Sequence, residues 1–224
     1  MLCFSENHLF VAIIGDIRNS RNIDDRKKIQ NQLKIVLENI NAKYQKDIAS
    51  KFVITLGDEF QGVLVNSRQI LKIIEEIKMQ LFPVELRFGI GIGKITTDMD
   101  TEMALGADGP GYYNARNAID KLKENEKRNK TVLSDLRIDI DFNDARVNLI
   151  NTIFELIKTI ETNWTGRQRE IIWDMRKHQD GQIKVAERLG IEQPTVQKAL
   201  AKAKYYVYVK TMQMVEDTLE EMNL

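Results

Sequence analysis

Two apolar runs separated by three residues place the strongest constraint on how this chain folds. Residues 51–56 and 60–65 are rich in β-branched and aromatic side chains, which predicts a β-hairpin with a tight turn between them. The turn holds two adjacent carboxylates, Asp58 and Glu59. Their repulsion is offset if they bind a divalent cation, to which Asp16 could supply a third oxygen ligand. The alternative is that glycine and aspartate are simply common turn residues.

The sequence before and after the hairpin alternates between strand and helix patterns. The apolar run 9–14 is typical of a strand buried on both faces. It places Asp16 and Ser20 at its carboxyl end, where α/β sheets commonly meet ligands. Three- and four-residue spacing of apolar side chains predicts one helix from Asp24 onwards and another over residues 70–81.

Residues 85–95 predict a fourth strand, in which apolar residues alternate with three glycines. Such a strand face allows another backbone or a ligand to approach closely. The predicted order is strand, helix, strand, strand, helix, strand, an α+β fold of the ferredoxin-like βαββαβ type. In that fold the hairpin strand lies beside the strand that carries Asp16, so Asp16 and Asp58 fall at one edge of the sheet.

A glycine-rich loop at residues 104–111 precedes a further helix pattern. Backbone amides at a helix start favour anions such as phosphate. The alternative is an ordinary flexible connection. Residues 131–134 predict a short additional strand.

The second half of the chain is predicted to be helical. Residues 144–160 have strong helical periodicity, and Thr165 with Gln168 forms a capping box at the next helix start. Residues 183–189, a turn at Gly190 and a helix from about residue 193 fit a helix-turn-helix. The apolar stripe from residue 205 to residue 222 predicts either packing onto the first domain or a homodimer contact through the C-terminal helix.

Charge is concentrated in this second half. The chain as a whole has 33 basic and 33 acidic residues, whereas residues 165–210 contain ten Lys/Arg against five Asp/Glu, a net charge of +5. A local basic unit indicates nucleic-acid binding, here to DNA. The base-edge candidates are Gln193, Thr195, Gln197 and Lys198, and the phosphate candidates are Lys184, Lys202 and Lys204. The alternative is a helical module that binds protein, and Glu192 at the helix start would repel phosphate.

Several segments in the first half resemble a known catalytic core. They are Asp16 with Ser20, residues 57–60, residues 87–93 and residues 111–116. Together, over about residues 9–135, they resemble class III nucleotidyl cyclases and, more distantly, GGDEF diguanylate cyclases. The resemblance implies that Asp16 and Asp58 hold Mg²⁺ or Mn²⁺ on a nucleoside triphosphate, with Glu59 as the third candidate ligand. The candidate nucleotide contacts are Ser20, Gly57, Gly109, Gly111, Asn114 and Arg116.

Two positions depart from the cyclase pattern. Ile54 stands where adenine-specific cyclases carry a lysine, and Ala118 stands where an arginine stabilises the transition state. Arg116 lies nearby in the sequence. Because the loss of one such donor can cost about 3 kcal/mol of barrier, we expect nucleotide binding without efficient cyclisation.

The helical part resembles the helix-turn-helix of sigma-factor region 4, which has a Thr-x-Arg-Gln-x-Glu opening like residues 165–170. A cyclase-like part followed by such a helical part resembles the SatD family. The expected division is a cyclase-like domain at 1–142, a connecting helix at 143–163 and a helix-turn-helix domain at 164–224. We expect a nucleotide- or metal-responsive DNA-binding regulator. The alternatives are an active Mg²⁺-dependent nucleotidyl cyclase or transferase and a non-catalytic adaptor.

The composition also bears on location. No apolar run reaches the ~18 residues that a membrane span needs, so no membrane partner is expected. Cys3 is the only cysteine, which rules out a disulfide within the chain and fits a reducing cytoplasm.

Overall fold

Strand β1 (Phe10–Ile17) lies at the centre of a sheet and is buried along its whole length. The computed structural model describes residues 8–20, 25–96, 100–102 and 108–222. The other strands are β2 (Ile48–Leu56), β3 (Glu59–Leu64), β4 (Leu86–Gly93) and β5 (Leu136–Ile140). Their order across the sheet is β2-β3-β1-β4-β5. The sheet is mixed, because β4 and β5 are parallel while all other neighbours are antiparallel.

Helices cover both faces of the sheet. The described residues form α1 (Arg26–Lys43), α2 (Ile70–Leu81), α3 (Pro110–Asn129), α4 (Ala145–Thr162), α5 (Gly166–His178), α6 (Gln182–Leu189), α7 (Gln193–Lys202) and α8 (Tyr205–Glu221). Helix α3 lies alone on one face, and α1, α2 and α4 belong to the larger core on the other face. Among these described helices, none is long and apolar enough to cross a membrane.

The hairpin and the helix over residues 70–81 are confirmed as β2–β3 and α2. Gly57 takes a φ of +60° in the turn, a conformation that glycine adopts without strain. The predicted strand at residues 131–134 is wrong. The strand is β5, at Leu136–Ile140, where Leu, Ile and Ile alternate with Arg and Asp in the two-residue period of a half-buried strand.

The glycines of β4 bring α3 unusually close to the sheet, as their spacing predicted. A Cβ atom at Gly89 or Gly91 would overlap the backbone of α3 at Ala115 and Gly111. Gly93 faces the first turn of the same helix, where a Cβ would lie 2.7 Å from the Gly111 nitrogen. The close neighbour is therefore a helix backbone.

Both edge strands are held by an asparagine from a helix. The Asn41 side chain of α1 accepts from Phe52 N–H at 2.8 Å and donates to Phe52 C=O at 2.9 Å on β2. The Asn151 side chain of α4 makes the same pair of bonds with Ile138 on β5, at 2.8 and 2.9 Å. These amides satisfy backbone groups that an edge strand would otherwise leave unpaired.

Helices α4–α8 share a continuous core with the sheet. The predicted C-terminal stripe is buried at Tyr205, Tyr208, Met212, Val215 and Leu219, and it packs into the same cluster as α2 and α4. Of the two expected uses of that stripe, the structure therefore shows packing onto the rest of the chain. A homodimer contact through α8 stays a prediction. The expected boundaries at residues 142 and 163 flank α4, and the core extends across both.

Candidate functional site

The hairpin turn brings Asp58 beside Asp16 at the carboxyl end of β1. Ile17 N–H donates to the Asp58 carbonyl at 2.9 Å, and Asp16 pairs with Glu59 in the β1–β3 register. The Ser20 hydroxyl donates to Asp58 Oδ2. Three of the predicted residues, Asp16, Asp58 and Ser20, thus lie together at one edge of the sheet.

Glu59 and Arg116 neutralise each other in this region. The Glu59 side chain is buried, and its two oxygens accept from the two Nη atoms of Arg116 at 2.6 Å each. These hydrogen bonds raise the pKa of Arg116 above its usual value. A bidentate pair of this kind is specific and strong. With each side chain engaged by the other, Glu59 is not free to bind a metal ion and Arg116 is not free to contact a phosphate.

Asp16 is also surrounded by cations from its own chain. Its Oδ2 lies 3.0 Å from Arg87 Nε and its Oδ1 lies 3.1 Å from Lys123 Nζ. Burial raises the pKa of Asp16, while Lys123 and Arg87 oppose that shift and Asp58 adds to it. The net pKa is above the usual value for aspartate, which agrees with two carboxylates held close together in a desolvated place.

One buried arginine near Asp16 retains an unsatisfied N–H group. The buried Arg18 contacts Glu126 Oε1 at 2.5 Å and Glu85 Oε2 at 3.2 Å. Arg18 Nε has no hydrogen-bond partner among the described residues, whereas Arg18 Nη1 and Arg87 Nε lie 3.2 and 3.0 Å from the carboxylates of Glu85 and Asp16 without hydrogen-bond geometry. Buried donors without partners are uncommon in proteins. An anion bound at this edge, such as a phosphate group, would satisfy the Nε–H group of Arg18.

The remaining nucleotide candidates lie at the other end of β1. Gly93 pairs with Phe10, six residues from Asp16 along the strand, a separation of about 20 Å. Gly109 caps α3 and Gly111 packs against Gly93 at that end. Asn114 donates to Ile92 C=O at 3.0 Å and to Asp141 Oδ1 at 2.6 Å.

Within a single chain the nucleotide candidates therefore fall into two groups, one beside Asp16 and one at the opposite end of β1. Residues 104–107 of the glycine-rich loop lie outside the described residues. Gly57 belongs to the Asp16 group, and its carbonyl accepts from Gln30 at 2.7 Å.

The donor set at Asp16 fits a magnesium or manganese ion that keeps other oxygen ligands. Mg²⁺ commonly binds through one or two carboxylates together with waters and phosphate oxygens, and Asp16 and Asp58 supply two carboxylates. No group of three or more His, Cys, Asp or Glu side chains is arranged around a common point in the described part of the chain. Lys123, whose side chain is 39% exposed, is the cation that a metal ion would displace from Asp16.

The two departures from the cyclase pattern occupy different surroundings. Ala118 is fully buried, among the α3 residues that pack on the sheet, and Ile54 is partly buried on β2. Arg116 is held by Glu59 instead of standing free in place of the missing arginine. Arg116, the α3 arginine nearest in sequence to the missing one, is thus not free to stabilise a transition state.

The DNA candidates lie on and around α7. Thr195, Gln197, Lys198, Lys202 and Lys204 are exposed. Within the described ranges, the last three of these have no acidic partner, as the ion pairs and hydrogen bonds show.

Two further candidates in this part are already engaged. Gln193 donates to Gln182 Oε1 at 2.6 Å, and Lys184 pairs with Glu187 at 2.9 Å. The predicted turn at Gly190 takes a φ of +61°, and the capping box of Thr165 and Gln168 is confirmed at the start of α5.

With this geometry established, comparison with known proteins identifies the family. The sequence matches the SatD family over residues 10–219. The chain belongs to the SatD family. A search of curated proteins gave no match.

Solved structures with some similarity to the chain include three cyclase domains. The catalytic core of a rhodopsin-guanylyl cyclase with converted specificity, in complex with ATPαS, is 17% identical, with 50% of this chain and 71% of that chain covered at a TM-score of 0.38. The guanylate cyclase domain of RhGC from Catenaria anguillulae, in complex with GTP, is 16% identical, with coverage of 51% and 74% and a TM-score of 0.38. A bacterial light-regulated adenylyl cyclase is 13% identical, with coverage of 59% and 76% and a TM-score of 0.38. At these TM-scores the similarity does not bear on the details of the site.

Sequence reasoning missed the basic residues that surround Asp16 in this SatD-family chain. Arg18 is buried and Arg87 is half-buried, and both lie in segments of mixed polarity that resemble ordinary strand ends. Lys123 had a readable signal, because it follows Arg116 on α3 by seven residues and therefore shares its face of the helix. A helix face that carries charge while it packs on a sheet indicates a polar site beneath it.

Proposed function

We propose that this SatD-family chain is a DNA-binding regulatory protein whose sheet part binds a divalent cation with a nucleotide and does not turn the nucleotide over efficiently. The observation that carries the proposal is the outer face of α7. Thr195, Lys198 and Lys202 follow one another at three- and four-residue spacing, and all three are exposed. An exposed basic face on the second helix of a helix-turn-helix is what a DNA-reading helix presents.

We interpret α6, the turn at Gly190 and α7 as this helix-turn-helix. Val185, Val196 and Leu200 are fully buried between the helices, which supports the assignment, since these positions form the core of such a hairpin. We likewise interpret the order β2-β3-β1-β4 as the ferredoxin-like arrangement, extended by the parallel strand β5.

The contacts refine which side chains would reach DNA. Thr195 and Gln197 lie in the first turns of α7 and are the best candidates for base edges. Lys198, Lys202 and Lys204 would contact phosphates. Gln193 and Lys184 would instead support the unit, because each already has a partner on α6.

A ligand at Asp16 could influence the helical part through α2. Arg176 of α5 makes a bidentate ion pair with Glu75 of α2, with distances of 2.7–3.0 Å. Lys78, one turn further along α2, contacts Glu161 of α4 at 3.0 Å. Regulation requires that the ligand binds two arrangements of these helices with different affinity.

The first experiment tests the DNA claim. Affinity for random duplex DNA should fall steeply with salt, and the slope should decrease by about 2 in Lys198→Ala/Lys202→Ala because two phosphate contacts are lost. The matched control is Lys27→Ala/Lys127→Ala, two exposed helical lysines on α1 and α3, which should leave the slope unchanged. Absent or salt-independent binding would support the adaptor alternative.

The second experiment tests the ligand claim. Titration of Mn²⁺ or Mg²⁺ with ATP or GTP should raise the melting temperature of the wild type, because tight binding to the folded state stabilises it. Asp58→Asn should abolish the shift, and Glu124→Gln, which removes an exposed carboxylate of α3, should retain it. Lys123→Met should bind the metal more tightly, because the competing cation on Asp16 is gone. No shift with any nucleotide would refute the ligand claim, and a cyclic product in these samples would establish the enzyme alternative.

A further inference from the structure

The outer side of α4 carries large apolar side chains into solvent. Leu149 and Leu156 are 61% and 63% exposed, and they alternate with the exposed Thr152 and Thr159 at four- and three-residue spacing. This stripe contains no charged residue. An uncharged surface stripe with this spacing is typical of a helix that packs against another helix.

Helix α8 has a matching outer stripe, separate from the buried stripe that packs on α2 and α4. Val207 and Met214 are 57% and 59% exposed, and Lys210 and Asp217 lie between and after them at three- and four-residue spacing. Here the stripe has a basic first half and an acidic second half.

The two stripes lie on neighbouring helices. Trp164, just after α4, donates from Nε1 to Ala203 C=O just before α8 at 2.8 Å. The pKa of Arg146 at the start of α4 is raised by its hydrogen bonds to Asp144 and, at longer range, by the charge of Glu221 at the end of α8. The helices are therefore antiparallel neighbours. Lys158 of α4 points to Asp135 before β5, and Glu216 of α8 borders the cleft beside α1 and α2. The Lys158 side of α4 and the Glu216 side of α8 thus point away from each other. The two outer stripes therefore lie on the same, outward-facing side of the helix pair.

We propose that this outer α4–α8 face, defined by Leu149, Leu156, Val207 and Met214, binds a second copy of the chain across a two-fold axis. The charge pattern selects this occupant. If α8 crosses α8 of the second copy in the antiparallel direction at Met214, Lys210 of each copy meets Asp217 of the other, and the ion pair forms twice. A two-fold interface is self-complementary in this way.

The same axis gives a sensible contact on α4. The antiparallel register of α4 and α8 places Ile153 at the level of Met214. A two-fold axis through that level sets Leu149 opposite Leu156 of the second copy, so apolar residues meet apolar residues. One axis therefore satisfies both stripes, and the four helices form an antiparallel bundle.

The size of the face indicates a reversible dimer. Two helices of this length side by side cover a face of roughly 25 by 20 Å, about 500 Å². This area is near the lower limit of the surface that each partner buries in a stable interface. The dimer should therefore dissociate on dilution, and it does not depend on the proposed binding of DNA or nucleotide.

Sedimentation velocity over a dilution series tests the dimer on the full chain. The wild type should change from dimer to monomer on dilution, and Leu156→Glu/Met214→Glu should stay monomeric with an unchanged circular dichroism spectrum. The matched control is Ile35→Glu/Ile183→Glu, which replaces apolar side chains that are 57% and 66% exposed on α1 and α6. It should dimerise like the wild type.

A charge swap tests the axis and needs no change to an apolar residue. Lys210→Glu and Asp217→Lys should each weaken the dimer by about tenfold or more, because each sets like charges against each other. The double variant Lys210→Glu/Asp217→Lys should restore it. A wild type that is monomeric at every concentration, a dimer that survives Leu156→Glu/Met214→Glu, or a double variant weaker than both single variants would overturn the proposal.

Discussion

Replacing Asp135 by asparagine tests the buried ion network that joins α2 to α4. The Asp135 carboxylate is 3.1 Å from Lys78 Nζ on α2 and 3.0 Å from Lys158 Nζ on α4. Lys78 also contacts Glu161, so it keeps one carboxylate in the variant. Lys158 has no other acidic partner among the described residues, so the variant leaves a largely buried ammonium group unpaired.

The pKa of Asp135 sets the size of the effect. Burial alone would raise this pKa, but Lys78 and Lys158 outweigh it and hold the pKa at about 2. Against about 3.9 in an unfolded chain, this corresponds to roughly 2–3 kcal/mol of stability at neutral pH. We therefore expect Asp135→Asn to lower the free energy of unfolding by about 2–4 kcal/mol, the upper value reflecting the unpaired Lys158.

The pH dependence has a definite sign. Because the pKa is lowered on folding, the contribution is present above the unfolded pKa and is lost as pH falls from about 4 to about 2. Urea unfolding of wild type and variant should thus show a gap at pH 7 that closes in acid. The matched control is Asp139→Asn on β5. The Asp139 carboxylate lies 2.6 Å from Lys121 Nζ, and the Lys121 side chain is 46% exposed, so this variant should lose less than about 1 kcal/mol of stability. Equal losses in the two variants, or a gap that does not change with pH, would refute this reasoning.

Two further predictions concern the sheet. Gly91→Ala should destabilise the fold by about 3 kcal/mol, because the new methyl group meets the α3 backbone, which cannot move aside as a side chain can; thermal unfolding against Gly166→Ala, where a Cβ meets nothing within 4 Å, measures the difference. Asn41→Ala and Asn151→Ala should each cost about 2–4 kcal/mol, since each leaves a backbone N–H and C=O of an edge strand without its partner. Hydrogen exchange should then become faster at Phe52 or Ile138 only, and a general increase across the sheet would contradict the local explanation.

Much of the fold could be read from the sequence because local pattern and tertiary structure agree there. The hairpin, α2 and the capping box of α5 depend on spacing that only one structure satisfies. The sequence prediction put the fifth strand at residues 131–134 because these have higher strand propensity than the alternating segment after them. Pairing with β4 decides which of the two segments joins the sheet. Propensity is the weaker of these two influences.

The candidate site could be predicted only in part. The register of β1 and β3 brings Asp16 to Asp58, and strand order alone is enough to foresee that. The partners of Glu59 and Asp16 could not be foreseen, since Arg116 and Lys123 arrive from a helix more than fifty residues later in the chain. The β4 glycines predict that a backbone packs closely there, and helix spacing places Arg116 and Lys123 on one face, but neither signal tells which carboxylate each of them meets.

The central claim is that ligand at the Asp16 edge and DNA at α7 influence each other, and one measurement tests it most directly. Duplex DNA affinity is measured by fluorescence anisotropy with and without Mn²⁺ and nucleotide, for the wild type and for Asp58→Asn. If the two sites are coupled, the ligand should change the affinity of the wild type by about fivefold or more and leave that of Asp58→Asn unchanged. Identical DNA affinity under all four conditions, or no DNA binding at all, would contradict the account.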